Sequence, residues 1–128
     1  MAASPPRPTD AELEILTILW SRGPSTVREI HKVATERKPA QYTTILKLLQ
    51  IMADKGLVHR DEKERAHVYR AACPPGRTRK QLASDLMKRA FGGSAASLMQ
   101  GALSDRKISK AELAELRRML DEHERRSR

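Results

Sequence analysis

Aromatic residues are scarce in this 128-residue chain: one Trp, two Tyr and one Phe, 3% of the whole. A core built without them must be aliphatic and thin. That suits one ordinary domain, or two small units that share a core by pairing with another copy. Cysteine is nearly absent. Cys73 alone excludes an internal disulfide framework and cysteine-rich zinc sites. No apolar run approaches the length of a membrane span. The opening "MAASPPRPTD" lacks a signal-peptide core, so a cytoplasmic protein with no membrane insertion is expected. Catalytic signatures are also missing. There is no Gly-rich phosphate loop, no nucleophile elbow and no pair of carboxylates in an apolar setting, so no enzyme and no cofactor is expected. His59 and His67 fall on two expected strands, but no third or fourth ligand has suitable spacing for a metal.

Charge, by contrast, is plentiful. Charged residues make up 32% of the chain and the formal net charge is +9. A basic balance favours polyanions, nucleic acid or an acidic membrane surface, over a merely solvated face. Residues 1 to 73 hold 12 Lys+Arg against 9 Asp+Glu, a net +3, and residues 74 to 128 hold 13 against 7, a net +6. The excess therefore does not concentrate in the first half.

Along the chain, "MAASPPRP" (1–8) reads as a disordered tail, with three prolines in eight residues. "TDAELEILTILW" follows, with Thr9 and Glu12 at capping-box spacing and an apolar stripe of Leu13, Leu16, Leu19 and Trp20. Gly23 and Pro24 break this helix. "STVREIHKVATE" carries a second capping box, Thr26 and Glu29, with Val27, Ile30, Val33 and Ala34 inward. After the turn "RKPA", a third helix places Ile45, Leu48, Leu49 and Met52 on one face and stops at Gly56, a good residue just past a helix end. The period then changes. "LVHR" and "HVYRA" read as two short strands around the polar hairpin loop "DEKERA". Residues 9–72 thus give three helices and a hairpin, and "CPPG" (73–76) reads as a linker.

Residues 77–126 read as helical. Leu82 and Leu86 lie on one stripe, Leu98 and Met99 in a shorter apolar segment, and Leu113, Leu116 and Leu120 on a last stripe that follows a third capping box, Ser109 and Glu112. With Phe91 as the only aromatic, these helices bury little alone. Pairing with a second copy through those seven residues resolves this; folding back on residues 9–72 is the alternative.

Three helices and a hairpin in this order make a winged helix-turn-helix, so the fold class is mainly α with a small β-hairpin, followed by an α-helical dimerisation region. In such a domain the third helix enters the DNA major groove and its first turn meets the bases. That turn is Gln41, Tyr42, Thr43 and Thr44. Gln41 can pair with adenine, the two threonines can bond bases or phosphates, and Tyr42 offers a hydroxyl and a flat face. Lys47, one turn on, reaches a phosphate or guanine. In the wing, Lys63 and Arg65 are the candidates for backbone contact, against three neighbouring acids, Asp61, Glu62 and Glu64.

"TDAELEILTILW", "STVREI", "YTTILKLL", "DKGLVHR" and "VYRA" resemble the penicillinase-repressor (BlaI/MecI-type) family of bacterial transcriptional regulators. "FGGSAASLMQGAL" and "ISKAELAELRRMLDEH" resemble its dimerisation region. The resemblance implies a homodimeric repressor on a dyad-symmetric, palindromic operator in double-stranded DNA, with Gln41, Tyr42, Thr43, Thr44 and Lys47 at the recognition positions. It also implies release by cleavage, triggered by a membrane-bound sensor-peptidase, and control of resistance or stress genes. The family's copper-responsive branch carries a C-terminal cysteine cluster that this chain lacks. Where the best-known penicillinase repressors are cut between Asn and Phe, this chain has Gln100 and Gly101. Gly92, Gly93 and Gly101 are read here as helix breakers that leave residues 92–101 easily opened. A winged helix that binds a protein partner without operator DNA is the alternative function.

Overall fold

The computed structural model describes residues 7–104 and 107–128. The tail expected over residues 1–8 therefore lies largely outside the described residues. In chain order the elements are α1 (Asp10–Arg22), β1 (Ser25–Thr26), α2 (Val27–Arg37), α3 (Tyr42–Lys55), β2 (Val58–Asp61), β3 (Val68–Ala71), α4 (Pro75–Ala90), α5 (Ala95–Ser104) and α6 (Lys110–Arg126). The chain divides into two compact units between Ala83 and Ser84, inside α4.

Local chemistry sets the helix starts of the first unit. Thr9 accepts from the Glu12 N–H at 3.2 Å and the Glu12 carboxylate accepts from the Thr9 N–H at 2.9 Å. Thr26 and Glu29 repeat the exchange at 3.2 and 2.9 Å. Each box satisfies two backbone donors that a helix start leaves orphaned. Gly56 ends α3 in the left-handed region, φ 83°, and gives its N–H to the carbonyls of Ala53 and Met52.

The sheet differs from expectation. Three antiparallel strands form it, in the order β1-β3-β2, where a two-stranded hairpin was expected. Ser25 and Thr26 pair with Tyr69 and Val68. A two-residue strand has no alternation to read, and Thr26 already served as an N-cap; its extended backbone, φ −80° and ψ 165°, does both jobs. The expected linker is also shorter. Pro75 and Gly76 belong to the first turn of α4, where a proline's missing N–H costs nothing.

The core is aliphatic around one aromatic ring. Ile15, Leu16, Ile18, Leu19, Ile30, Ile45, Leu49, Met52 and Val58 are buried with Tyr69. On α1 the buried stripe includes Ile15 and Ile18, while Leu13 and Trp20, expected inward, are half-buried. The Trp20 Nε1–H instead donates to the Cys73 carbonyl at 3.0 Å, and the Arg79 guanidinium lies 5.7 Å from its ring.

The second unit has no such core. Neither α5 nor α6 buries a residue. Gly92 and Gly93, both at positive φ, turn the chain from α4 towards α5, and Ser94 caps the N–H of Ser97 at 3.1 Å. Ser109 accepts from the Glu112 N–H at 3.1 Å at the start of α6. Gly101 does not break the helix. It lies within α5, where a Cβ would stand 3.5 Å from the Phe91 ring.

Candidate nucleic-acid interface

Helix α3 is the centre of the site. Its buried face, Ile45, Leu49 and Met52, is held against the core. Its first turn is turned out: Gln41, Tyr42, Thr43, Thr44 and Lys47 are all exposed. Among the described residues, no side chain caps this helix start. The first N–H groups of α3 thus have no partner of the kind that Thr9 and Thr26 give α1 and α2, and such a start attracts anions.

The turn that aims α3 is fixed from α2. The His31 Nε2 bonds the Ala40 carbonyl at 2.8 Å, and the His31 ring meets the Tyr42 ring edge-on, centroids 5.7 Å apart. Tyr42 therefore leaves α3 from a braced position. At the far end, Lys55 reaches Glu12 on α1 at 2.9 Å.

The outward residues of α3 lie on three strips. Gln41 and Thr44 border a hollow shared with α1. Thr43 and Lys47, four apart, stand on a second strip. Tyr42 and Leu46 border a groove that runs to the wing, where Arg65 and His67 form the opposite wall. Thr26 and Arg28, from the start of α2, close that groove. The structure thus brings Tyr42 and Arg65 together. It does not bring Lys63 with them. Lys63 borders a separate hollow with His59, Arg60, Asp61, Glu62 and Arg70.

Thr26, Arg28 and His67 were not placed at this groove from the sequence because β1 was not foreseen. The pairing of β1 with β3, Ser25 with Tyr69 and Thr26 with Val68, carries the start of α2 to the wing. The two histidines expected on strands do not pair either: His59 stands opposite Arg70, and His67 precedes β3.

The wing's acids are partly neutralised from within. Glu62 pairs with Arg60 at 2.8 Å, and the Asp61 carboxylate accepts from the Lys63 N–H at 3.0 Å. Among the described residues neither Lys63 nor Arg65 is in a salt bridge, so both cationic heads remain available. Glu29 is engaged in the same way. Hydrogen bonds from the Thr26 N–H and hydroxyl, then the charge of Arg22 at 2.9 Å, hold its carboxyl below the ordinary range. It therefore stays ionised and occupied beside Arg28.

The domain is thus a winged helix with an exposed polar first turn on α3 and Arg28 and Arg65 in the groove beside it. The family model for the penicillinase repressor matches residues 8–122. The chain belongs to that family. It is 38% identical over 79 residues to the transcriptional regulator BlaI of Mycobacterium tuberculosis strain H37Rv, covering 61% of this chain and 54% of that one, so it spans about half the length of that curated relative. It is 24% identical over 123 residues to the penicillinase repressor of Bacillus licheniformis, 96% of each chain. Among solved structures, the monomeric form of Bacillus licheniformis BlaI in complex with the blaP half-operator matches with a TM-score of 0.50 and 23% identity, over 57% of this chain and 89% of that one. That likeness is one of fold. The relatives are named as regulators and a repressor, not as enzymes.

Proposed function

We propose that this chain is a sequence-specific DNA-binding repressor that acts as a homodimer on a dyad-symmetric operator. Residues 9–72 are the reading domain and residues 77–126 the dimerisation region. The observation that carries the reading is the first turn of α3. Four hydrogen-bonding side chains stand exposed on a helix start that no side chain caps, beside a groove with Arg28 and Arg65 on its walls. Solvated polar residues alone give no reason for that placement; base edges and phosphates do. Gln41, Thr43 and Thr44 read bases and Tyr42 packs along the groove. Lys47, Arg65 and Arg28 take phosphates on either side. Lys63 contacts the backbone from the wing.

The second unit supports the homodimer. Leu86, Met99 and Leu120 are 48%, 37% and 70% exposed, and Leu82, Leu98, Leu113 and Leu116 are half-buried. Apolar side chains left exposed in this way on a charged chain favour a surface that a second copy covers. A dimer also doubles the number of readers on one DNA, which raises affinity with no new contact type. Release follows cleavage in the second unit, set off by a membrane-bound sensor-peptidase, and the controlled genes serve resistance or stress responses.

The test is footprinting of the full chain on genomic DNA. Protected dyads with two half-sites about one or two helical turns apart are expected. Sequence-blind binding at every salt concentration would overturn the reading and leave the protein-partner alternative.

A further inference from the structure

The function proposed above gives no role to the interior of the hollow between α1, the end of α2 and the start of α3. Its volume is close to 440 Å³. That falls within the range of small-molecule pockets, about 300 to 1,000 Å³, whereas packed interiors leave few gaps larger than a water molecule. The floor is apolar: Ile15, Ile18, Ala34 and Leu48 line it. The rim is charged. Arg37 and Lys38 stand on one side and Glu14 on the other.

The balance of that rim selects a ligand. Lys38 Nζ and Glu14 Oε1 are 3.3 Å apart, with side chains 67% and 53% exposed. A pair so exposed is held weakly and opens readily. Arg37 has no salt bridge among the described residues. An arginine therefore lines an apolar hollow without an ion-pair partner among the described residues, and a lysine next to it is easily freed. A cation is repelled there, and a neutral apolar molecule ignores the rim. A molecule with an apolar body and one anionic head satisfies both parts.

We propose that this hollow is a binding site for a small amphipathic carboxylate, its body on Ile15, Ile18 and Leu48 and its head on Arg37 and Lys38. Gln41 and Thr44 border the same hollow. An occupant lies against two side chains that read bases in the function proposed above, and this second step rests on that reading. Occupancy and operator binding then oppose each other, by the same factor in each direction.

The probe is decanoate, titrated into the full chain by calorimetry, with decyltrimethylammonium as the same body under the opposite charge. Decanoate is expected to bind saturably, one per chain, and the ammonium not to bind. Ala11 is an exposed residue at the hollow's edge, so Ala11→Trp fills the mouth without touching the core. That variant, and the double variant Arg37→Gln with Lys38→Gln, are each expected to weaken decanoate by about tenfold or more. Equal uptake of both probes, no uptake, or uptake indifferent to both variants overturns the site. The second step is read on a duplex selected by the protein from a random pool. Decanoate should weaken that complex in the parent chain and not in Ala11→Trp. Saturable decanoate with unchanged DNA affinity overturns the antagonism alone. A chain that selects no duplex at all overturns the DNA reading, while calorimetry still decides the site.

Discussion

Glu12, in the first turn of α1, grips Lys55, the last residue of α3, with both carboxylate oxygens, at 3.0 and 2.9 Å. The side chain of Glu12 is 2% exposed and that of Lys55 30%. One residue thus caps α1, through Thr9, and anchors the far end of α3. Burial is the largest single influence on the Glu12 carboxyl and raises its pKa. Hydrogen bonds from Thr9, together with the hydrogen bond and charge of Lys55, outweigh it, and the net direction is down. Glu12→Gln keeps the capping chemistry and removes the charge. It should cost about 1 to 3 kcal/mol, since it leaves Lys55 half-buried without a counter-charge. Glu12→Ala loses the cap as well and should cost about 1 kcal/mol more. Denaturant unfolding of both variants measures the difference.

The same pair sets an acid limit. A carboxyl whose folded pKa is depressed contributes stability above its unfolded value, about 4.3 for Glu. That contribution is lost as pH falls through the lower folded value. The parent chain should therefore lose stability below about pH 4.3 more steeply than Glu12→Gln, with the two curves parallel above about pH 6. Thermal melts between pH 3 and pH 7 read this. A constant gap across the whole range would show that Glu12 is not ionised against Lys55.

Recognition divides by residue. Gln41→Ala and Thr44→Ala should each lower affinity for the selected site by about 1 to 3 kcal/mol and leave non-specific binding intact. Lys47→Ala, Arg65→Ala and Arg28→Ala should weaken binding to every sequence and reduce the salt slope by about 1 each. Competition assays at several salt concentrations separate the two classes. Arg28 is the sharpest member of the set, because only the fold brings it to the wing.

Assembly has its own signature. Leu120 is 70% exposed on a single chain, so Leu120→Glu costs a lone chain little. If the face of α6 meets a second copy, the same change should weaken the dimer by about 2 kcal/mol or more. Sedimentation of the parent chain and the variant at micromolar concentration checks this. A parent chain that stays monomeric there removes the homodimer.

What the sequence disclosed was what neighbours along the chain decide. The capping boxes at Thr9 and Thr26, the left-handed Gly56 and the two longer strands are local chemistry, and each was legible. Distant pairings were not. Glu12 and Lys55 are 43 residues apart, and nothing near either one announces the other. The strand at Ser25–Thr26 exists only because β3 lies beside it, and with it went Arg28, Thr26 and His67. Ile15 and Ile18 entered the core in place of Leu13 and Trp20 because α1 packs on α2, α3 and β3, which widens its buried stripe beyond a single row.

Gly101 was misread for a different reason, and it yields the last prediction. A glycine inside a helix costs about 1 kcal/mol against alanine, too little to break a helix whose other residues favour it. Here Gln100 and Gly101 lie inside α5, whereas peptidases take extended substrate, so cutting at that bond requires α5 to open first. Gly101→Ala should make opening rarer. The added methyl would meet the Phe91 ring at 3.5 Å, an ordinary contact, so alanine fits and its helix propensity is gained in full. About 1 kcal/mol corresponds to about a fivefold smaller open fraction. Hydrogen exchange of the amides around residue 101 should slow by that factor, and so should cutting of α5 by a non-specific protease. DNA binding by the intact chain should not change. If Gly101→Ala leaves both rates untouched, opening of α5 does not control access to the bond, and a switch working by cleavage there loses its physical basis.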